Sequence, residues 1–189
     1  GIPNPPPHIF CGVVDPVAIG VVDSLESPGR PISGVAIIPF NFDLQVEMLA
    51  ALDPSIRSIA LLSGDQALAP GVASVFDRTI AEFAAACAAH NITLVRISMG
   101  ASWTAEELGA SFNRARDEQG VRMICILNDL FVSARMETIV AACKGARIPL
   151  CASELSSVYH GAALGFGEHG GVYGMYCASL AYEVLVNHR

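Results

Sequence analysis

Polar and acidic residues recur in this chain where apolar, β-type runs stop. Asp15 follows the run at residues 8–14, and Ser63-Gly64-Asp65 follows residues 58–62. Asn128-Asp129 closes residues 121–127, and Ser153-Glu154 follows residues 148–152. If those runs are parallel strands, their carboxyl ends share one edge, and groups far apart in sequence converge there. Hydroxyl, amide and carboxylate acceptors in one crevice suit a small ligand with amino or hydroxyl donors, such as an amino acid or a sugar. The competing reading is local: Asp15, Asp65 and Ser153 cap helices or fill turns.

Other chemistry has weaker support. Six cysteines, Cys11, Cys87, Cys125, Cys143, Cys151 and Cys177, lie inside apolar runs, and none forms a C-x-x-C pair. They read as buried free thiols acting as small hydrophobes. The length and core content argue against a disulfide framework, and the histidines and cysteines lack zinc-ligand spacing. Cys11 and Cys151 lie near strand ends, which admits a cytosolic cysteine enzyme of the racemase or isomerase kind. Neither has a cation nearby in sequence to lower its pKa. There is no G-x-S-x-G nucleophile elbow and no P-loop. The segment Gly165-Phe166-Gly167-Glu168-His169-Gly170 fits G-x-G-x-x-G and precedes a helix, but no second strand follows, as a dinucleotide fingerprint requires. Its glycines read as a tight loop that lets the last helix pack closely. No metal and no cofactor is expected.

The elements that must position these residues follow from periodicity. Residues 8–14 read as a buried strand. Asp15-Pro16 reads as the cap and first turn of a helix over 17–26, with Val17, Val21, Val22 and Leu25 on one stripe. A short strand is expected at 34–39. A helix follows at 42–52, with Leu44, Met48, Leu49 and Leu52 as its apolar stripe. Strand and helix then alternate: strand 58–62, a long Ala-rich helix over 72–90, and strand 92–97. Thr104 and Glu107 form a capping box for a helix ended by Gly120. Strand 121–127, helix 132–144 and strand 148–152 come next. A helical turn at 156–160, a weak strand at 163–166 and a last helix at 171–186 complete the chain. This alternation predicts an α/β fold with a doubly wound, mainly parallel sheet, Rossmann-like or flavodoxin-like.

Composition narrows the function. The 189 residues are 52% hydrophobic and 15% charged, with a net charge of −7. That is enough core-forming material for one packed domain, or one domain plus part of another. The acidic balance and scattered basic residues argue against nucleic acid or an anionic membrane as partner. No apolar run reaches the ~18–20 residues a transmembrane helix needs. Residues 1–7 are proline-rich, without the charged and apolar regions of a signal sequence. The expectation is a cytosolic chain, or one whose leader has been removed.

Several motifs, taken together and in order, resemble the ABC transporter substrate-binding protein family. They are Asp15-Pro16-Val17, Ser24-Leu25 with Pro28-Gly29, and Ile32-Ser33-Gly34-Val35. Pro54 with Ile59-Ala60 and Leu62 is similar to the family's step into its second lobe. Residues 121–129, Arg147-Ile148-Pro149, Tyr159-His160-Gly161-Ala162 and Leu164-Gly165-Phe166-Gly167 are similar to its later segments. The resemblance implies an exported, periplasmic, two-lobed protein with the type I periplasmic-binding fold, working with an ABC permease and performing no chemistry on its solute. It implies that residues 1–53 are a remnant of the first lobe with the crossover, and that residues 54–189 are the second lobe. The ligand would lie between lobes and a hinge would close over it. Asp15 would contribute from the first lobe, and Ser63, Gly64, Asp65, Asn128, Asp129, Ser153 and Glu154 from the second. Ser63-Gly64-Asp65 departs from the family's Asn-Pro-type loop. A chain this short implies a fragment, or a homodimer through its open face. A ligand-sensing regulatory lobe of the same fold is the remaining alternative.

Overall fold

The computed structural model describes residues 6–29, 31–37, 41–65, 68, 70–100, 102–167 and 170–187. In chain order its elements are β1 (His8–Val14), β2 (Ile32–Ile37), α1 (Phe42–Leu52), β3 (Ser58–Gly64) and α2 (Pro70–Ala89). Then come β4 (Thr93–Met99), α3 (Ala105–Gln119), β5 (Ile124–Ile126), α4 (Leu130–Ser133) and α5 (Met136–Ala146). The last are β6 (Leu150–Ala152), a 3-10 helix (Leu155–His160), β7 (Leu164–Gly165) and α6 (Gly170–Leu185). Residues 38 and 39 of the expected second strand, and residues 168 and 169 of the G-x-G-x-x-G match, lie outside the described residues.

The chain divides into two compact units. The first comprises Gly1–Phe40, Leu68–Thr79 and His169–Arg189; the second comprises Asn41–Ala67 and Ile80–Glu168. In the first, β1 and β2 pair in parallel, with a register shift between Cys11 and Val13, and α6 lies against both strands.

The helix expected at residues 17–26 is not formed. Asp15 does cap a helical turn, its Oδ1 accepting the Ala18 N–H at 3.0 Å, but that turn closes at once. Gly20 takes a left-handed φ of 74°. Gly20 N–H bonds to the Val17 carbonyl at 3.0 Å and Val21 N–H to the Pro16 carbonyl at 2.8 Å. These two bonds make the Schellman closure that normally ends a longer helix. With β-branched Val17, Ile19, Val21 and Val22 around it, the segment has little propensity to propagate further. Of the expected stripe, Val22 is buried while Val17 and Leu25 are exposed.

The cysteine reading also needs correction. Cys87, Cys125, Cys143 and Cys151 are free and buried, but Cys11 and Cys177 form a disulfide with Cα atoms 6.0 Å apart. The fold brings β1 and α6 together across 166 residues of sequence, a separation at which no local spacing signals a pair.

The second unit is built on a five-stranded, wholly parallel sheet in the order β4-β3-β5-β6-β7. Strand residues alternate between its faces. Ala60, Leu62, Ile124, Ile126, Leu150 and Ala152 join Leu108 and Phe112 of α3 and Ile139 and Cys143 of α5 in one core. Ile59, Leu61, Cys125 and Cys151 alternate with these and face the opposite side. There the buried amide of Gln45 on α1 reaches the Cys151 sulfur at 3.7 Å. Phe42 of α1 meets Phe83 of α2 edge-on, with ring centroids 5.4 Å apart. The sheet is therefore flanked by helices on both faces, as expected of a doubly wound fold.

Two helices differ in detail from expectation. α1 spans the expected residues, and of its expected stripe Leu49 is buried while Leu44, Met48 and Leu52 are exposed; Phe42, Gln45 and Val46 complete the buried side. The helix expected at 132–144 is two helices, α4 and α5, broken around Ala134 and Arg135. α3 conforms closely, with Thr104 and Glu107 exchanging both bonds of the capping box and Gly120 as its left-handed C-cap.

Candidate functional site at the carboxyl edge of the five-stranded sheet

In sequence order this sheet begins at β3, which lies between β4 and β5. β3 is followed by β4 on one side, and the chain then crosses to place β5 on the other. The strand order reverses between β3 and β5, and a parallel sheet opens a crevice outside the carboxyl ends at such a switch point. Ser63, Gly64 and Asp65 leave β3 there, and Asn128 and Asp129 follow β5. Because Leu62 pairs with Ile126 and Ile126 with Ala152, Ser153 and Glu154 stand next along the same edge.

Asp129 is the residue that joins these loops. It is 6% exposed. One oxygen accepts the N–H groups of Phe131 at 2.9 Å and Val132 at 3.2 Å, capping α4. The other accepts the Gly64 N–H at 2.9 Å. A carboxylate so enclosed holds the β3 and β5 loops in fixed relation, which is the capping role that competes with direct ligand contact at this residue.

The loops are further tied by packing and by the backbone. Gly64 has no room for a side chain: a Cβ there would lie 2.4 Å from Phe131 Cδ1. The Arg135 guanidinium covers the Phe131 ring at 4.0 Å, a cation–π contact that fixes the ring further. Asp65 N–H donates to the Met99 carbonyl at 2.9 Å, linking the β3 loop to the end of β4. Ser63 is buried, and its hydroxyl lies 3.5 Å from an Arg96 nitrogen.

The remaining edge residues differ in availability. Asp65 is exposed, and Asn128 and Glu154 are half-buried. Ser153 is 5% exposed, and its hydroxyl has no hydrogen-bond partner among the described residues. A buried hydroxyl left unpaired costs free energy, and the Ser58 and Ser157 hydroxyls share this state. Leu130, next to Asp129, is 82% exposed. Trp103 packs against the core near Gly100, at the end of β4. Phe131, Arg135, Leu130 and Trp103 were not among the sequence-derived site residues. Leu130 and Phe131 directly follow Asp129, and Trp103 stands between the end of β4 and a clear capping box, so a signal was present for these three; Arg135 carried none.

Asp15 belongs to the other unit. It has φ 44°, follows β1, and forms an ion pair with Arg78. The Ala18 N–H, and then Arg78, hold its carboxyl below the usual carboxylate range. A depressed folded pKa contributes stability that is present above the unfolded value and is lost as pH falls through the folded one. Below about pH 4, the residue 8–14 strand is therefore expected to lose hydrogen-exchange protection, and Asp15→Asn should flatten that acid dependence. An unchanged acid profile in the variant would remove Asp15 from the account of this turn.

The thiols offer little for catalysis. Burial pushes the Cys87 and Cys143 thiols up to about 12. Cys125 is raised by its hydrogen bond to Cys151 and by burial, while Cys151, lowered by the Cys125 and Gln45 contacts, is itself fully buried. Cys11 is held in the disulfide. Among the described residues no group of histidine, cysteine and acidic side chains is placed to hold a metal ion. None of the described helices is long and apolar enough to cross a membrane.

No curated protein matches the chain. Among solved structures, a complex of an ABC domain with L-Trp from Streptococcus pneumonia is similar at 20% identity and a TM-score of 0.74, covering 95% of this chain and 58% of the other. A conserved domain protein from Vibrio cholerae matches at 24% identity and TM-score 0.68, covering 92% of this chain and 56% of the other. The ligand-free, open structure of a substrate binding protein with adhesive properties from Clostridium difficile matches at 22% identity and TM-score 0.64, covering 95% and 57%. The chain thus spans less than two thirds of each of these structures. The model of the ABC transporter substrate binding protein family matches residues 4–188. With that match over nearly all of its length, the chain belongs to the ABC transporter substrate binding protein family.

Proposed function

We propose that this chain serves as solute-binding polypeptide of an ABC importer, taking a small polar metabolite of the amino acid or sugar type and performing no chemistry on it. The observation that carries the reading is the switch point of the five-stranded sheet, where Ser63, Gly64 and Asp65 adjoin Asn128 and Asp129. Asn128, Ser153, Asp65 and Glu154 are the groups proposed to meet the ligand, with Asp129, Ser63 and Gly64 shaping the edge around it. Asp15 is proposed as a contact from the other unit. An exported, periplasmic location and an ABC permease as partner accompany this reading. Dimerisation through the chain's open face is proposed with it. The similarity to a protein solved with L-Trp supports testing amino acids first.

A thermal-shift screen of the L-amino acids and simple hexoses tests this directly. A ligand at 100 times its Kd adds about 2.7 kcal/mol to stability. The expected result is a rise in Tm with a narrow group of compounds, lost in Asn128→Ala and Ser153→Ala. No response to the whole panel, or a response that both variants retain in full, would count against the site.

A further inference from the structure

We propose that the Cys11–Cys177 disulfide is a redox latch that holds α6 against the β1–β2 sheet, so that the first unit is firmly assembled only in the oxidised chain. This device is separate from the proposed solute binding and does not rest on it. Among the described residues this unit buries little. No residue of β1, β2 or α6 is fully buried; the side of α6 bearing Val172, Tyr173, Leu180 and Val184 is half-buried. A two-stranded sheet is marginal without a helix or further strands packed on it, and half-buried apolar contacts contribute less than a closed core. The disulfide supplies a tie that does not depend on burial. It joins the first strand to the last helix across 166 residues, and a cross-link closing so long a loop removes much of the unfolded chain's freedom.

The pair is also the one that a redox partner can reach. Cys11 is exposed and Cys177 half-buried, whereas Cys87, Cys125, Cys143 and Cys151 are all buried. With the disulfide closed, each sulfur lies beside a backbone carbonyl of the opposite element. The Cys11 sulfur lies 3.4 Å from the Tyr173 carbonyl oxygen, and the Cys177 sulfur 3.6 Å from that of Phe10. Closing converts two thiols to one disulfide with loss of two protons. The two electrons pass to an oxidant of the disulfide class, RSSR, which leaves as two RSH. A dithiol reverses the exchange.

The test compares the full chain, oxidised and after treatment with dithiothreitol, by hydrogen exchange read by mass spectrometry. Peptides across residues 8–14 and 170–187 are expected to exchange about tenfold faster or more after reduction, with β3 and β5 peptides unchanged. In parallel, Cys11 and Cys177 should resist alkylation in the oxidised chain and accept it once reduced. A Cys11→Ser/Cys177→Ser variant should exchange like the reduced chain whether or not reductant is present. Equal protection of α6 with and without reductant overturns the latch, as does alkylation of both cysteines in the oxidised chain. Because the wild-type comparison needs no substitution, a variant that fails to fold leaves the decision intact.

Discussion

Replacing Asp129 with alanine is expected to destabilise the second unit by about 3 kcal/mol, since it leaves three backbone N–H groups without their charged acceptor. Those groups are on Phe131, Val132 and Gly64. Two of them start α4 and the third belongs to the β3 loop, so the loss both uncaps a helix and parts the two loops of the switch point. Trp103 is the chain's single tryptophan and packs against the core of this unit. Urea unfolding followed by its fluorescence therefore reports on the affected region. Asp129→Asn keeps one carbonyl acceptor and should cost less than the alanine change. Ligand affinity should fall with loop order in both variants. A wild-type urea midpoint in Asp129→Ala would show that the loops do not depend on this carboxylate.

The second large effect is expected at Gly64. A methyl group there meets the Phe131 ring well inside contact distance, and the Arg135 guanidinium lies over that ring. Overpacking of this kind costs about 1–3 kcal/mol. If the clash is the cause, the Gly64→Ala/Phe131→Ala double variant should be more stable than the sum of the two single changes requires, because neighbouring sites that share a contact couple. Strict additivity would place the cost of Gly64→Ala in its backbone rather than in the Phe131 contact.

These two residues show what was legible before the fold was known. The end of a β-type run marked Asp129 and Gly64 as edge residues, because alternation of strand and helix already implied a parallel sheet. What alternation does not carry is strand order. The arrangement β4-β3-β5-β6-β7 makes the Gly64 and Asp129 loops neighbours, and that order is settled by packing among all the helices. The same limit applies to α1. Its span at 42–52 was readable, and the structure adds Asn41, whose side chain caps Leu44 N–H. Its buried side was legible only at Leu49, because Leu44 and Met48 stand four residues apart just as Phe42 and Val46 do. The sheet selects the second stripe, and Gln45 comes inside with it. Asp15 shows a different failure: a sound cap was followed by a glycine at the one position where a left-handed residue ends the helix after a single turn.

The most direct test of the central claim is backbone amide chemical-shift mapping of the chain titrated with the compound that most raises its Tm among the L-amino acids and hexoses. The account predicts that the largest perturbations fall on residues 63–65, 128–131 and 153–154, at the carboxyl edge of the five-stranded sheet, with the amino-terminal ends of the same strands silent. Perturbations centred on the outer helices α3 and α5, or on the amino-terminal strand ends, would contradict it and place the ligand elsewhere on the second unit.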